Sequence, residues 1–380
     1  MDNVNNVDKL RRKYLQDAFG DVVWDGNRFH SDIIPTSSFM LNYILGVGGI
    51  PTGRIVQLAG AESSGKTTMC MDIMRNAEKL GYSFLFFDAE QTFDIDLAAQ
   101  MGIQTPPEEY LVRESRMSQI MAKLIGSLKG QKKQNGILLP DSEIGDFFLR
   151  EKKLKIIVID SLNSLITPRS EGSDLEKGQV AHLSAYLSYC LPLLVPKLSF
   201  AGVTLIGVQQ LREKVGAWSP SGKPPTTTSG GRAWKHNISI AINLTPKSSK
   251  DDQILDENGA KMGTTVSAYI SKSKVSRAYL RGDYKVVFGK GIIEPESEIF
   301  DVGVRTGVIE RPSSAVYKFG EESWRGAANM KSVIAENEEL RNNIIEKIKA
   351  KGSPSRAFGD LEGEAPEEFI DDDQDVVEGE

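Results

Sequence analysis

The sequence predicts an α/β fold with a mostly parallel sheet, followed by a small α+β unit. Three observations predict it. Apolar runs alternate with helix-period segments from "RIVQLA" at 54–59 to "GVTLIGVQQ" at 202–210, the pattern of a parallel sheet covered on both faces. The runs are nearly continuous rather than alternating, as in "IIVI" at 156–159, which suits strands buried on both sides. The first run leads directly into "GAESSGKTTM" at 60–69, a glycine-rich turn that opens a helical segment.

Taken in order, residues 7–19, "VDKLRRKYLQDAF", place apolar residues at helical spacing before a "GD" stop. A short β-prone piece follows. "PTSSFMLNYIL" reads as a helix capped near Thr36 to Ser38, and "GVGGIPTG" as a turn cluster. "RIVQLA" is a strand, Thr67 to Leu80 a helix and "YSFLFFDAE" a strand. Residues 94–102 form a short helix and 115–129 a longer one. "LKIIVID" is a strand, 178–199 a helix and "GVTLIGVQQ" a strand. After residue 236, "ISIAINL", "TTVSAYIS" and "YKVVFG" read as antiparallel strands at the sheet's edge. Residues 296–351 read as a small, mostly helical unit. The polar stretch 129–143, "KGQKKQNGILLPDSE", reads as an inserted surface loop.

Length and composition narrow the function classes. A chain of 380 residues accommodates two or three structural units around one main core. With 40% hydrophobic and 26% charged residues, it is ordinary for a globular protein. No run approaches the ~18 apolar residues of a membrane span, and "MDNVNNVDKLRRKYLQ" is too polar for a secretory signal. The two cysteines, Cys70 and Cys190, sit in apolar, helical stretches and read as buried free thiols in a reducing, cytoplasmic setting. His30, His182 and His236 give no metal spacing.

The net charge of −6 conceals an asymmetry. Residues 360–380 hold eleven carboxylates and no Lys or Arg, and removing those eleven charges leaves +5 on the 359 residues before them. The body is mildly basic. The tail reads as a solvated, disordered strip, either a solubilising end or a mobile competitor for a basic surface.

Gly60, Ala61, Glu62, Ser63, Ser64, Gly65, Lys66 and Thr67, continued by Thr68, fit a phosphate-binding loop between a strand and a helix. Glycines let backbone N–H groups turn toward an anion, and the helix N-terminus adds its positive dipole end. Lys66 would reach the β- and γ-phosphates, and the Thr67 hydroxyl would ligate Mg²⁺. Asp160, at the end of "KIIVID", supplies a second magnesium-side group. Glu90, at the end of "LFFDAE", is the candidate base for water, with Asp88 as a supporting group. Acids at strand C-termini face the same crevice as the loop. No Asn-Lys-Xaa-Asp motif for guanine is present, so ATP is expected rather than GTP.

Five stretches in order, "GGIPTGRIVQLAGAESSGKTT", "FFDAEQTFD", "IIVIDSLNSLITP", "LIGVQQLREKVG" and "TTTSGGRAWK", together resemble the bacterial and phage RecA-type recombinases. The resemblance runs, with gaps, from about residue 7 to 351, and the acidic tail is similar. It implies a RecA-type phosphate-loop ATPase core at 36–290. It implies an N-terminal helix and strand at 1–35 that dock on a neighbouring protomer, a small C-terminal domain at 291–352 and an acidic tail at 353–380. The implied activity is that of a DNA-dependent ATPase that uses ATP and Mg²⁺. Such a protein forms helical filaments on single-stranded DNA, pairs it with homologous double-stranded DNA and exchanges strands. Single-strand binding and mediator proteins are the implied further partners.

Position by position, Lys66 and Thr67 match the family's phosphate-loop Lys and Thr, Glu90 its water-activating glutamate and Asp160 its magnesium-side aspartate. Gln210 matches the glutamine that senses the γ-phosphate and opens the second DNA loop. Lys272 and Lys274 match paired lysines that reach a neighbour's ATP. Read from the residues alone, these lysines stand at i and i+2 of a strand, share one face and better suit an edge protected by lysine, an order that the resemblance reverses. Two DNA-binding loops are implied, at 168–179 with Arg169 and Lys177, and at 211–232 with Arg212, Lys214, Trp218, Lys223, Thr226, Thr227, Thr228, Gly230, Gly231 and Arg232. Basic and hydroxyl groups on flexible backbone suit sequence-independent phosphate binding, and Trp218 could wedge between bases.

The chain also departs from the family. Leu97 stands where an aromatic ring usually meets adenine, and His236 where a phenylalanine often follows the second loop. Ala185 and Pro192 occupy basic positions of the helix after the first loop, and the 129–143 insertion is longer than the bacterial pattern. These departures suit a divergent, phage-type member. The rival reading is another motor with this core, such as a hexameric replicative DNA helicase. A helicase normally carries an extra N-terminal domain for hexamer formation, and only about 50 residues precede this core.

Overall fold

The computed structural model describes residues 32–125, 132–134, 137–139, 153–167, 179–213, 226–227, 231–293 and 296–352. The N-terminal helix expected at 7–19, most of both expected DNA loops and the acidic tail lie outside the described residues.

Helix α1 (Phe39–Ile44) is capped by Ser38, whose hydroxyl accepts the N–H of Leu41. The strands and helices then alternate. They are β1 (Ile55–Gly60), α2 (Lys66–Lys79), β2 (Ser83–Asp88), α3 (Ile95–Gln100), β3 (Leu111–Val112), α4 (Met117–Ile125), β4 (Leu154–Asp160), α5 (Gln179–Ala201) and β5 (Thr204–Gln210). After the short helix α6 (Gly231–Asn237) come β6 (Ile240–Pro246), β7 (Gln253–Leu255), β8 (Lys261–Ser273), β9 (Arg281–Val287) and β10 (Gly291–Ile293).

One ten-stranded sheet gathers these strands in the order β10-β9-β8-β6-β1-β5-β4-β2-β3, with β7 added beside β8. From β6 to β3 all neighbours are parallel, and from β6 to β10 all are antiparallel. This α/β architecture is the one expected, with one correction. "ISIAINL" was read as an antiparallel edge strand. Instead β6 lies inside the sheet, parallel to β1 and antiparallel to β8. The physical reason is burial on both faces. Ile240, Ile242 and Leu244 enter one core, and Ala241 enters the other.

Strand alternation divides the interior into those two cores. Val56, Leu58, Phe86, Ile156 and Val158 face α2 and the C-terminal segment. Ile55, Phe87, Ile157, Ile159 and Leu205 face α4 and α5. Helix α5 holds Pro192 and Pro196 in its interior, and its His182–Ala201 portion is long and apolar enough to cross a membrane, contrary to the reading of the bare sequence. Its Leu183, Leu187, Leu191, Leu194 and Leu198 are buried in the second core, as in a helix packed on a sheet. Both cysteines are buried and free.

The C-terminal segment is the α+β unit expected, with more strand than the reading of 296–351 as mostly helical allowed. Helix α7 (Glu296–Arg305) precedes an antiparallel sheet of β11 (Glu310–Ser313), β12 (Val316–Phe319) and β13 (Glu322–Arg325), then α8 (Ala327–Glu336) and α9 (Glu338–Lys351). Glu298 of α7 ties it to the core, because its carboxylate accepts from the Ser38 hydroxyl at 2.8 Å and the Met40 N–H at 2.9 Å. Within 129–143, residues Lys132–Gln134 and Ile137–Leu139 pair as a hairpin.

Candidate nucleotide site

The site forms where the parallel strands end. Gly60 of β1 aligns with Gln210 of β5, and Asp88 of β2 aligns with Asp160 of β4. The loop leaving β1 turns through Ser63 and Gly65, both at positive φ. A side chain at Gly60 would meet the Ser64 hydroxyl at 2.3 Å and the Leu244 carbonyl at 2.7 Å, so this close approach requires glycine. Gly65 caps α2 without a side-chain hydrogen bond, and the first turn holds no acidic residue. Its N–H groups and the dipole end are thereby suited to an anion.

Lys66 lies along the loop, its ammonium donating to the carbonyls of Gly60 at 3.2 Å and Ala61 at 2.6 Å and to the Ser64 hydroxyl at 3.4 Å. Burial lowers its pKa, while Asp160 and Glu90 oppose that shift. The Thr67 hydroxyl donates to Asp160 Oδ2 at 2.6 Å. Burial pushes the Asp160 carboxyl up to about 6, against the pull of the Thr67 bond, and nearby Glu90 adds to the rise.

Glu90 sits just beyond β2, and three groups converge on its Oε1. The Ser161 hydroxyl donates at 2.5 Å, the Ser164 hydroxyl at 3.1 Å and the Gln210 side-chain amide at 3.3 Å. Asp88 has a different task. Its carboxylate accepts the N–H groups of Thr92 and Phe93, each at 3.1 Å, and so fixes the turn that carries Glu90.

Thr67, Asp160, Glu90, Gln210 and Lys66 are therefore brought together. Lys272 and Lys274 are not. They donate to the carbonyls of Lys235 and His236 at the end of α6. Register places Ser273 beside Ile240 and Val56, whereas Gly60 lies level with Leu244 and Ala268. Four residues of strand, about 13 Å, separate the lysines from their own phosphate loop. Leu97 lies on α3, half-buried against the core.

Of the expected DNA-loop residues, Arg212 pairs with Thr227 and Thr226 with Glu213 in a two-stranded antiparallel ladder. Gly231 and Arg232 begin α6. Arg169, Lys177, Lys214, Trp218, Lys223, Thr228 and Gly230 lie outside the described residues.

The sequence reading missed Ser161, Asn163 and Ser164. Their signal was the polar run "DSLNS" following an apolar strand.

A phosphate loop at the head of a parallel sheet, with a hydroxyl–carboxylate pair and a strand-end glutamate around it, defines a nucleotide-binding α/β protein of the phosphate-loop class. More narrowly, the chain belongs to the RecA family, since the model of the RecA N-terminal domain matches residues 6–293. It is similar to Protein RecA of Mycobacterium sp. (strain KMS), 32% identical over 325 residues, 84% of this chain and 83% of the relative. Similar too are Protein RecA of Saccharopolyspora erythraea, 31% identical over 353 residues and 91% of both chains, and Protein RecA of Nocardia farcinica, 31% identical over 325 residues, 84% of this chain and 83% of the relative. The family connects the chain to recombination, repair and nucleotide hydrolysis.

Proposed function

We propose that this protein is an ATP-dependent DNA recombinase. It assembles as a helical filament on single-stranded DNA, hydrolyses ATP there, pairs the strand with homologous duplex DNA and exchanges strands. The observation that carries the reading is the joined set of strand ends, with Thr67 bonded to Asp160 and Gln210 bonded to Glu90.

The residues suggest the division of labour. The phosphate loop and Lys66 bind and neutralise the phosphates. Thr67 and Asp160 offer hard oxygen ligands, few in number, which fits Mg²⁺ shared with phosphates and water. Bound there, Mg²⁺ would neutralise phosphate charge. Glu90 holds its carboxylate by Oε1, leaving Oε2 to take a proton from water. Gln210 joins that carboxylate to the root of the second expected DNA loop, a route by which DNA binding can set the hydrolysis rate. Lys272 and Lys274, remote from their own loop, suit a neighbour's phosphates, where cations stabilise the developing charge.

The test is steady-state ATPase with and without single-stranded DNA. DNA should stimulate the wild type, and Glu90→Gln should lower turnover at least ~100-fold while ATP and DNA binding persist. Near-normal turnover by that variant would remove Glu90 from its role.

A further inference from the structure

The three-residue turn Leu162–Ser164 follows β4 and touches both halves of the proposed catalytic pair. Its Ser164 hydroxyl lies 3.1 Å from Glu90 Oε1 and 3.1 Å from the Ser161 hydroxyl. Its Asn163 side-chain oxygen accepts the backbone N–H of Gln210 at 3.1 Å. The turn is closed by the Ser164 N–H on the Ser161 carbonyl at 3.2 Å. Glu90 and Gln210 are 120 positions apart in sequence, yet one turn spans them.

We propose that the Leu162–Ser164 turn is a positioning device that fixes the Glu90 carboxylate relative to the Gln210 strand end, with Ser164 and Asn163 as its two arms. The inference rests on Glu90 being the base for water.

Proton counting supports it. Ser161 and Ser164 hold two hydroxyl protons for three close contacts. Ser161, at 2.5 Å, donates to Glu90. Ser164 then donates either to Glu90 directly or to Ser161, which strengthens the Ser161 bond cooperatively. On either route the carboxylate's orientation depends on Ser164. The second arm acts on backbone. Because Asn163 holds the N–H of Gln210 rather than its side chain, Gln210 can swing its amide away from Glu90 without releasing the strand end. The carboxylate then keeps both serines, so the base stays oriented when its link to Gln210 breaks. A turn serving only to end β4 would need neither side chain, since its own closure is a backbone bond.

The experiment compares Ser164→Ala, Ser164→Thr, Asn163→Ala and the Ser164→Ala/Asn163→Ala double variant in steady-state ATPase with single-stranded DNA. ATP-analogue affinity and melting temperature are measured alongside. Ser164→Ala should lower kcat ~10-fold, the scale of one hydrogen bond to a charged group, with KM for ATP within about two-fold because ground-state binding is untouched. Ser164→Thr, which keeps the hydroxyl, should restore most of kcat. The double variant should lose less than the product of the single losses, since both arms act through one turn. Unchanged kcat in Ser164→Ala overturns the proposal. So does a Ser164→Thr as slow as Ser164→Ala at unaltered melting temperature, or a loss carried wholly by KM. A wild type that hydrolyses no ATP refutes the role of Glu90 first and the turn with it. A hydrolysing wild type with an unaffected Ser164→Ala refutes the turn alone.

Discussion

Asp160 is 8% exposed and faces Glu90 and Asp88 as well as Lys66. Its ordinary value of 3.8 rises to about 6 in the fold, chiefly through burial. The folded protein thus holds this proton more tightly than the unfolded chain does. The resulting stability is complete below pH 3.8 and is lost as pH rises through about 6. Above that range the buried charge costs about 3 kcal/mol without nucleotide. Asp160→Asn should therefore be more stable than wild type toward urea at pH 8 without nucleotide, and the gap should close toward pH 4. Parallel pH profiles for the two proteins would show that this carboxyl does not set the profile. Lys66, Thr67, Glu90 and Asp160 could be read from spacing, because a phosphate loop is continuous in sequence and acids at strand ends follow apolar runs. Ser161 and Ser164 could not be assigned to Glu90, because contacts spanning 71 and 74 positions leave no local period.

Helix α6 shows the same limit among the elements. It seats Trp234, fully buried, whose indole N–H donates to Gln57 Oε1 of β1 at 2.8 Å. Gly207 of β5 allows the approach, since a Cβ there would lie 2.5 Å from the Trp234 ring. Trp234→Phe would strand a buried amide oxygen, an expected loss of about 1–3 kcal/mol. Adding Gln57→Leu should recover part of it, because removing both partners costs less than orphaning one. Equal urea midpoints for wild type and Trp234→Phe would show that the bond contributes nothing. The strands β1, β2, β4 and β5 were legible as apolar runs, and α2 as the helix after the loop. What the runs did not specify was partnership. "ISIAINL" has the composition of any buried strand, and its parallel place beside β1 follows from which core each face enters. Likewise, no apolar run marked α5 as long enough for a span, although its helical length and composition suffice, and the leucine stripe that packs it on the sheet shows only in the fold.

At the scale of the whole molecule, the phosphate loop and the lysine pair stand at opposite ends of one sheet. A single protomer cannot join them, whereas a head-to-tail stack could. Lys272→Ala mixed with Lys66→Ala should thus regain part of the DNA-dependent ATPase, because the second protein offers intact lysines to the first protein's intact loop. Co-assembly with no recovery at any ratio would oppose action between neighbours. Such stacking leaves two outcomes, an open helix or a closed ring, depending on whether the repeated rotation closes. The open helix is the central claim, and electron microscopy tests it most directly. With single-stranded DNA and a non-hydrolysable ATP analogue, the protein should form continuous helical filaments along the strand. Closed rings threaded on the DNA under the same conditions would contradict the recombinase reading and favour a hexameric helicase.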